Sequence, residues 1–140
     1  MKKKYIDRQY IYERENKKCF FCSKFLYKNK ITLDHYYPKK YGGTEEVFNL
    51  VCSCKKCNNM KKSKVPDNHK EHWIKYFVKA VVDGRISPPH GTYRSEFIKM
   101  IKNIEIDKVY KNGDYTVFEG DGKRIYVREN KADKIVEFYS

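Results

Sequence analysis

The sequence predicts an α+β fold, stapled near its start by a four-cysteine zinc site and closed by an antiparallel β meander. Three observations point there: two Cys-x-x-Cys pairs, Cys19/Cys22 and Cys54/Cys57; apolar residues at helical spacing between residues 73 and 104; and two-residue alternation in the last thirty or so residues. The chain of 140 residues carries 31 Lys+Arg against 18 Asp+Glu, a net charge of +13, with 40% hydrophobic and 35% charged residues. That balance is too apolar for a disordered polymer and too charged for a membrane protein. The longest apolar stretches, Tyr76-Phe77-Val78 and Ala80-Val81-Val82, fall far short of the roughly 20 residues a bilayer requires. Met1-Lys2-Lys3-Lys4-Tyr5-Ile6-Asp7-Arg8 is basic but leads into no apolar region, so no secretory signal is expected. An intracellular location follows as the expectation, in the cytoplasm of a bacterium or of a phage-infected host cell.

Along the chain, Tyr5, Ile6, Tyr10 and Ile11 stand at helix-like offsets, and an amphipathic helix is expected over residues 4–16. From Cys19 to Lys64 the chain is rich in Lys, Cys, Asn and Gly. Its short apolar runs, Ile31-Thr32-Leu33 and Asn49-Leu50-Val51, read as two small strands. Pro66-Asp67-Asn68 supplies a break, after which Trp73, Ile74, Phe77, Val78 and Val81 share one helical face up to Gly84. Ser87-Pro88-Pro89-His90-Gly91 is a rigid connector to a second helix, Tyr93 to Ile104, with Phe97, Ile98, Ile101 and Ile104 on its stripe. Strands 115–119 and 123–127 then flank Gly120-Asp121-Gly122, with Asn112-Gly113 upstream and Ile135-Val136-Glu137-Phe138 downstream. Residues 1–65 are expected to form the functional core, and residues 66–140 an extension packed on it within one compact domain.

Five cysteines without an export signal point to metal binding, since cytosolic thiols are kept reduced. Two residues between the thiols let a tight knuckle aim both sulfurs at one tetrahedral ion, so two such pairs make a four-cysteine structural Zn²⁺ site. A redox dithiol needs only one pair and a thioredoxin-like pattern absent from this sequence. Neighbouring lysines are expected to lower the thiol pKa values. Cys52, left over, reads as a small buried hydrophobe. The 31 residues between Cys22 and Cys54 exceed the 15–20 or so of a simple zinc ribbon, so something is built into the loop. The insert holds Asp34-His35 at a strand end, Tyr36-Tyr37-Pro38, Gly42-Gly43, and Asn49 before the next strand.

Residues 33–38 (Leu-Asp-His-Tyr-Tyr-Pro), Gly42-Gly43, Asn49-Leu50 and residues 54–61 (Cys-Lys-Lys-Cys-Asn-Asn-Met-Lys) together resemble the zinc-knuckle form of the HNH endonuclease family. The resemblance covers residues 17–64 and reads Asp34-His35, thirteen residues, Asn49, eight residues, Asn58, with Asn in place of the final His. It implies a ββα-metal fold and a metal-dependent endonuclease acting on DNA, expected to be double-stranded. In that reading His35 is the general base, because a neutral imidazole with a pKa of about 6.5 can take a proton from water. The resemblance makes Asn49 the amide that bridges the loop and fixes the imidazole. Asp34 and Asn58 offer hard oxygen ligands suited to a catalytic Mg²⁺ or Mn²⁺. Lys39, Lys40 and Lys61 are candidate phosphate contacts.

Charge supports a polyanionic partner. Residues 1–65 hold 17 Lys+Arg and 6 Asp+Glu, net +11; residues 66–140 hold 14 and 12, net +2. The alternative is a non-catalytic zinc-stabilised module that binds nucleic acid through the same face. His69 and His72, three apart on a helix, read as surface histidines and not as ligands. Target sequence, strand number cut, oligomeric state and biological role stay open, because motif chemistry does not encode context.

Overall fold

A short apolar run must pair its backbone groups to be buried, and in the computed structural model, which describes residues 7–61 and 64–138, two such runs do so. Strand β1 (Thr32–His35) runs antiparallel to β2 (Leu50–Ser53), with Asp34 opposite Val51 and His35 opposite Leu50. Both strands start one residue later than the expected runs and end two residues further on, so that Ile31 and Asn49 lie just outside them, the register running from Thr32 with Ser53 to His35 with Leu50. All four residues of β2 are buried, Cys52 among them as expected.

Helix α1 (Arg8–Arg14) is shorter than residues 4–16; Tyr5 and Ile6 lie outside the described residues. Asp7 caps it, its carboxylate accepting from the Tyr10 N–H at 3.0 Å, and Ile11 and Tyr12 are its buried residues. Asn16 and Lys17, with φ of 57° and 62°, turn the chain out of the helix. Helix α2 (Lys55–Lys61) begins directly after Cys54 and packs against β1, completing a β-β-α succession.

The chain divides into two compact units, residues 1–69 and 70–140. Elements α1, β1, β2 and α2 belong to the first. The second contains nearly all of α3 (His69–Val82), α4 (Arg94–Asn103) and a four-stranded antiparallel sheet of β3 (Lys108–Asn112), β4 (Tyr115–Gly120), β5 (Lys123–Arg128) and β6 (Lys131–Glu137), in chain order. This is the expected meander. Two-residue loops join its strands, with φ of 62° at Gly113, 50° and 75° at Asp121 and Gly122, and 51° and 58° at Glu129 and Asn130.

Trp73, Phe77 and Val81 lie on the buried stripe of α3, with Ile74 and Val78 at its half-buried margin. His72 corrects the expectation of a surface histidine: it is buried, and its ring sits 4.5 Å from that of Tyr76. Phe97 and Ile101 are the buried face of α4. Phe77 and Phe118 stack with centroids 4.0 Å apart and planes at 9°, joining helix to sheet. On the sheet, Glu119 accepts from Arg124 Nε at 2.9 Å and from the Tyr110 hydroxyl at 3.1 Å, and the arginine bond holds its carboxyl below the usual range. Among the described residues no helix is long and apolar enough to cross a membrane.

Phe77 and Phe118 are both fully buried, so Phe77→Ala should leave a cavity and a ring without its stacking partner. A loss of about 3–5 kcal/mol is expected in denaturant unfolding of the second unit; a loss under about 1 kcal/mol would contradict this packing.

Candidate functional site

The four thiols of Cys19, Cys22, Cys54 and Cys57 come together with all sulfurs within 4.8 Å of one another. Cys22 Sγ and Cys54 Sγ are 4.0 Å apart, close to the roughly 3.8 Å edge of a tetrahedron built from 2.3 Å zinc–sulfur bonds. The first knuckle is a backbone turn, with Ser23 N–H donating to Cys19 O at 2.9 Å and Cys19 N–H to Lys24 O at 2.8 Å; Ser23 takes a φ of 64°. The second knuckle is the start of α2. Backbone donors serve the sulfurs: Cys54 N–H to Cys19 Sγ and Cys57 N–H to Cys54 Sγ, both at 3.4 Å.

The Cys57 N–H is the main reason the Cys54 thiol is lowered to about 7, so the backbone does what the lysines were expected to do. The Cys57 thiol is pushed up to about 12, chiefly by sharing its hydrogen bond with Cys54. Such a proton-sharing cluster is what a metal with four thiolates would displace, and its donor set fits Zn²⁺. Cys52 lies apart from this cluster: burial raises its thiol to about 11, which keeps it protonated and inert.

The insert between the knuckles is organised by one buried side chain. Asn49, fully buried, accepts from the Tyr37 N–H through Oδ1 at 2.9 Å, and its Nδ2 donates to Tyr37 O at 3.1 Å and to Thr44 O at 2.8 Å. One side-chain amide thus holds both limbs of the 37–44 loop, and the Asn49 backbone carbonyl accepts from the Tyr36 N–H at 2.8 Å. Gly43 is required by the same closure: a Cβ there would lie 1.7 Å from Tyr37 O. Asn49 therefore fixes the backbone that immediately follows His35.

His35 ends β1 with its side chain 25% exposed, and its Nε2 is 3.9 Å from Glu45 Oε1. The same carboxylate is 3.8 Å from Lys39 Nζ. Asp34 is half-buried one residue earlier, and Asn58 is half-buried on the first turn of α2, the helix that packs on β1. Lys39 and Lys40 are exposed in a 3₁₀ turn of the loop; Lys61 ends α2, its side chain outside the described part.

Three residues of this site escaped the sequence reading. Arg14 forks onto Glu15, Nε to Oε1 at 2.9 Å and Nη2 to Oε2 at 3.0 Å, with the two side chains 1% and 6% exposed. It also donates to Val47 O at 2.9 Å and Leu50 O at 2.6 Å, clamping the chain on both sides of Asn49. Adjacent opposite charges at a helix end read as solvent-exposed, and only the carbonyls of residues 47 and 50 distinguish this pair. Glu45 is the third, hidden among ordinary loop polar residues. Beyond the second knuckle, the Tyr36 hydroxyl donates to Asn68 Oδ1 at 2.5 Å and the His69 ring lies 4.6 Å from that of Tyr37. The 68–69 segment thus rests on the loop.

Residues 19–74 match the family model described as HNH endonuclease, which takes in both knuckles, the insert and the 68–69 segment. No curated protein and no solved structure matches the chain.

One zinc per chain is expected on metal analysis of reduced protein, and Cys57→Ser should lose most of it and unfold the first unit; a folded, reduced, zinc-free sample would refute this. Asn49→Ala leaves two backbone groups of Tyr37 and the Thr44 carbonyl without their partner. A cost of about 3 kcal/mol is expected in denaturant titration, with zinc retained, while an unchanged midpoint would mean that water replaces the amide.

Proposed function

We propose that this protein is a metal-dependent endonuclease that hydrolyses phosphodiester bonds of double-stranded DNA. The observation that carries the reading is the HNH match over residues 19–74 combined with the placement of Asp34-His35 at a strand end inside a frame of four clustered cysteines. The zinc would be structural, tying the knuckles together. Asp34 on β1 and Asn58 on α2 carry oxygen donors of the type that suits Mg²⁺ or Mn²⁺, and an ion held there would stabilise charge on the leaving 3′ oxygen.

His35 does the proton work. Its neutral imidazole takes a proton from the water that attacks phosphorus, the bond to the 3′ oxygen breaks and that oxygen takes a proton from solvent water, and the products are a 5′ phosphate and a 3′ hydroxyl. Glu45, 3.9 Å from Nε2, stabilises the imidazolium formed in that step. Asn49 acts as a positioning residue, since it holds the backbone next to the base without touching the reacting atoms. Lys39 and Lys40 are placed on the exposed loop, where phosphates of the substrate can meet them.

Plasmid cleavage with Mg²⁺ or Mn²⁺ tests the reading. His35→Ala should lower the rate by at least about 100-fold while DNA affinity stays within a few-fold. Cleavage by His35→Ala at the native rate would overturn the mechanism. A native chain that binds DNA, contains zinc and cuts nothing under either ion would favour the non-catalytic zinc-stabilised nucleic-acid-binding module.

A further inference from the structure

The first knuckle carries a surface that neither the zinc cluster nor the hydrolytic groups use. After Lys24 the backbone alternates: Leu26 is buried, while Phe25 and Tyr27 on either side of it are 54% and 70% exposed. Their rings meet edge to face, centroids 5.3 Å apart and planes at 85°. The segment is firmly held. Phe25 bridges to Lys18, Leu26 N–H donates to Lys17 O at 2.8 Å, and the Tyr12 hydroxyl donates to Leu26 O at 2.7 Å. Lys24, Lys28 and Lys30 neighbour the pair in the chain and Lys18 bridges to Phe25; all four are exposed, and none has an acidic partner among the described residues.

Two rigidly presented aromatic rings on a segment whose lysines lack acidic partners fit a polyanion that offers flat apolar surfaces of its own. Single-stranded nucleic acid is that polyanion, because its bases are free to stack on a side chain. A duplex offers the phosphates but keeps its base faces against one another. We propose that Phe25 and Tyr27 form a stacking platform for unpaired bases, with Lys24, Lys28 and Lys30 on the adjoining phosphates. The proposal rests on the nucleic-acid reading above and adds to it a second contact, for a single-stranded segment of the substrate such as an overhang, gap or junction.

The test is fluorescence anisotropy of the full-length, zinc-loaded protein with a labelled oligothymidine of about 15 nucleotides and with a duplex of equal length. The Phe25→Ala/Tyr27→Ala variant should bind the single strand at least about 10-fold more weakly and the duplex within about two-fold of native. Tyr27→Trp, which keeps a stacking face, should restore single-strand affinity when compared with Tyr27→Ala. Should the double variant lose zinc, Tyr27→Ala alone decides, since that side chain is largely in solvent. Unchanged single-strand binding, or an equal loss on both ligands, overturns the platform and leaves the hydrolytic reading standing. A native protein that binds neither ligand overturns both.

Discussion

The convergence of four sulfurs within 4.8 Å is the constraint from which the rest of the first unit follows. It joins residue 19 to residue 57 across a unit of fewer than 70 residues, a size at which a hydrophobic core alone gives little stability. The clustered sulfurs fix both ends of the intervening insert at once: Phe20 N–H reaches Cys52 O at 2.8 Å on β2, and α2 springs from the second knuckle. Chain order within the unit then leaves little freedom for β1, which must pair with β2 and lie against α2. The strand end bearing Asp34-His35 and the helix turn bearing Asn58 are therefore placed by the same tie that holds the fold.

Within that frame the loop is held by polar groups taken out of water, which is effective only when each is satisfied. Asn49 makes three side-chain hydrogen bonds to backbone, and Arg14 makes two to the carbonyls on either side of it while its charge is met by Glu15. A buried pair of this kind adds little to stability over an apolar core of the same volume. Its value here is directional: guanidinium and amide donors have fixed geometry, and they define where the chain leaves β1 and enters β2. The base proposed at His35 would need that definition more than extra stability, because proton transfer depends on sub-ångström placement.

Much of this was legible in the sequence, and the parts that were not share a cause. The Cys pairs, both strands of the hairpin, the two long helices and the meander announce themselves through local spacing. Arg14, Glu15, Glu45 and His72 are polar residues whose roles depend on partners elsewhere in the chain, or on which side of a helix becomes covered. Arg14 meets carbonyls 33 and 36 residues away, a relation with no periodicity to betray it. The Glu129-Asn130 turn was invisible for a different reason: two left-handed residues without a glycine leave no turn signature in the sequence. The lysines beside the knuckles misled in the opposite direction, since their nearness in sequence suggested a role that the Cys57 N–H fills.

Charge distribution takes on a sharper meaning once ion pairs are known. In the second unit three cations of the meander are committed to its own carboxylates: Arg124 and Lys108 to Glu119 at 2.9 and 3.7 Å, Arg128 to Asp133 at 2.8 Å. Its aromatic rings are capped as well, with Lys134 4.8 Å above Tyr126 and Arg128 4.8 Å above Tyr115. In the first unit Lys24, Lys28, Lys30, Lys55 and Lys56 have no such partners among the described residues. Lys39, by contrast, shares Glu45 with His35. Part of the positive charge after residue 65 is therefore already met by carboxylates where it stands, in addition to the difference between net +11 and net +2. Counterion release, the main electrostatic gain on meeting a polyanion, is available only to charges not already paired. Such a partner would find its purchase on the unit that also carries the candidate base, where most of the excess charge lies.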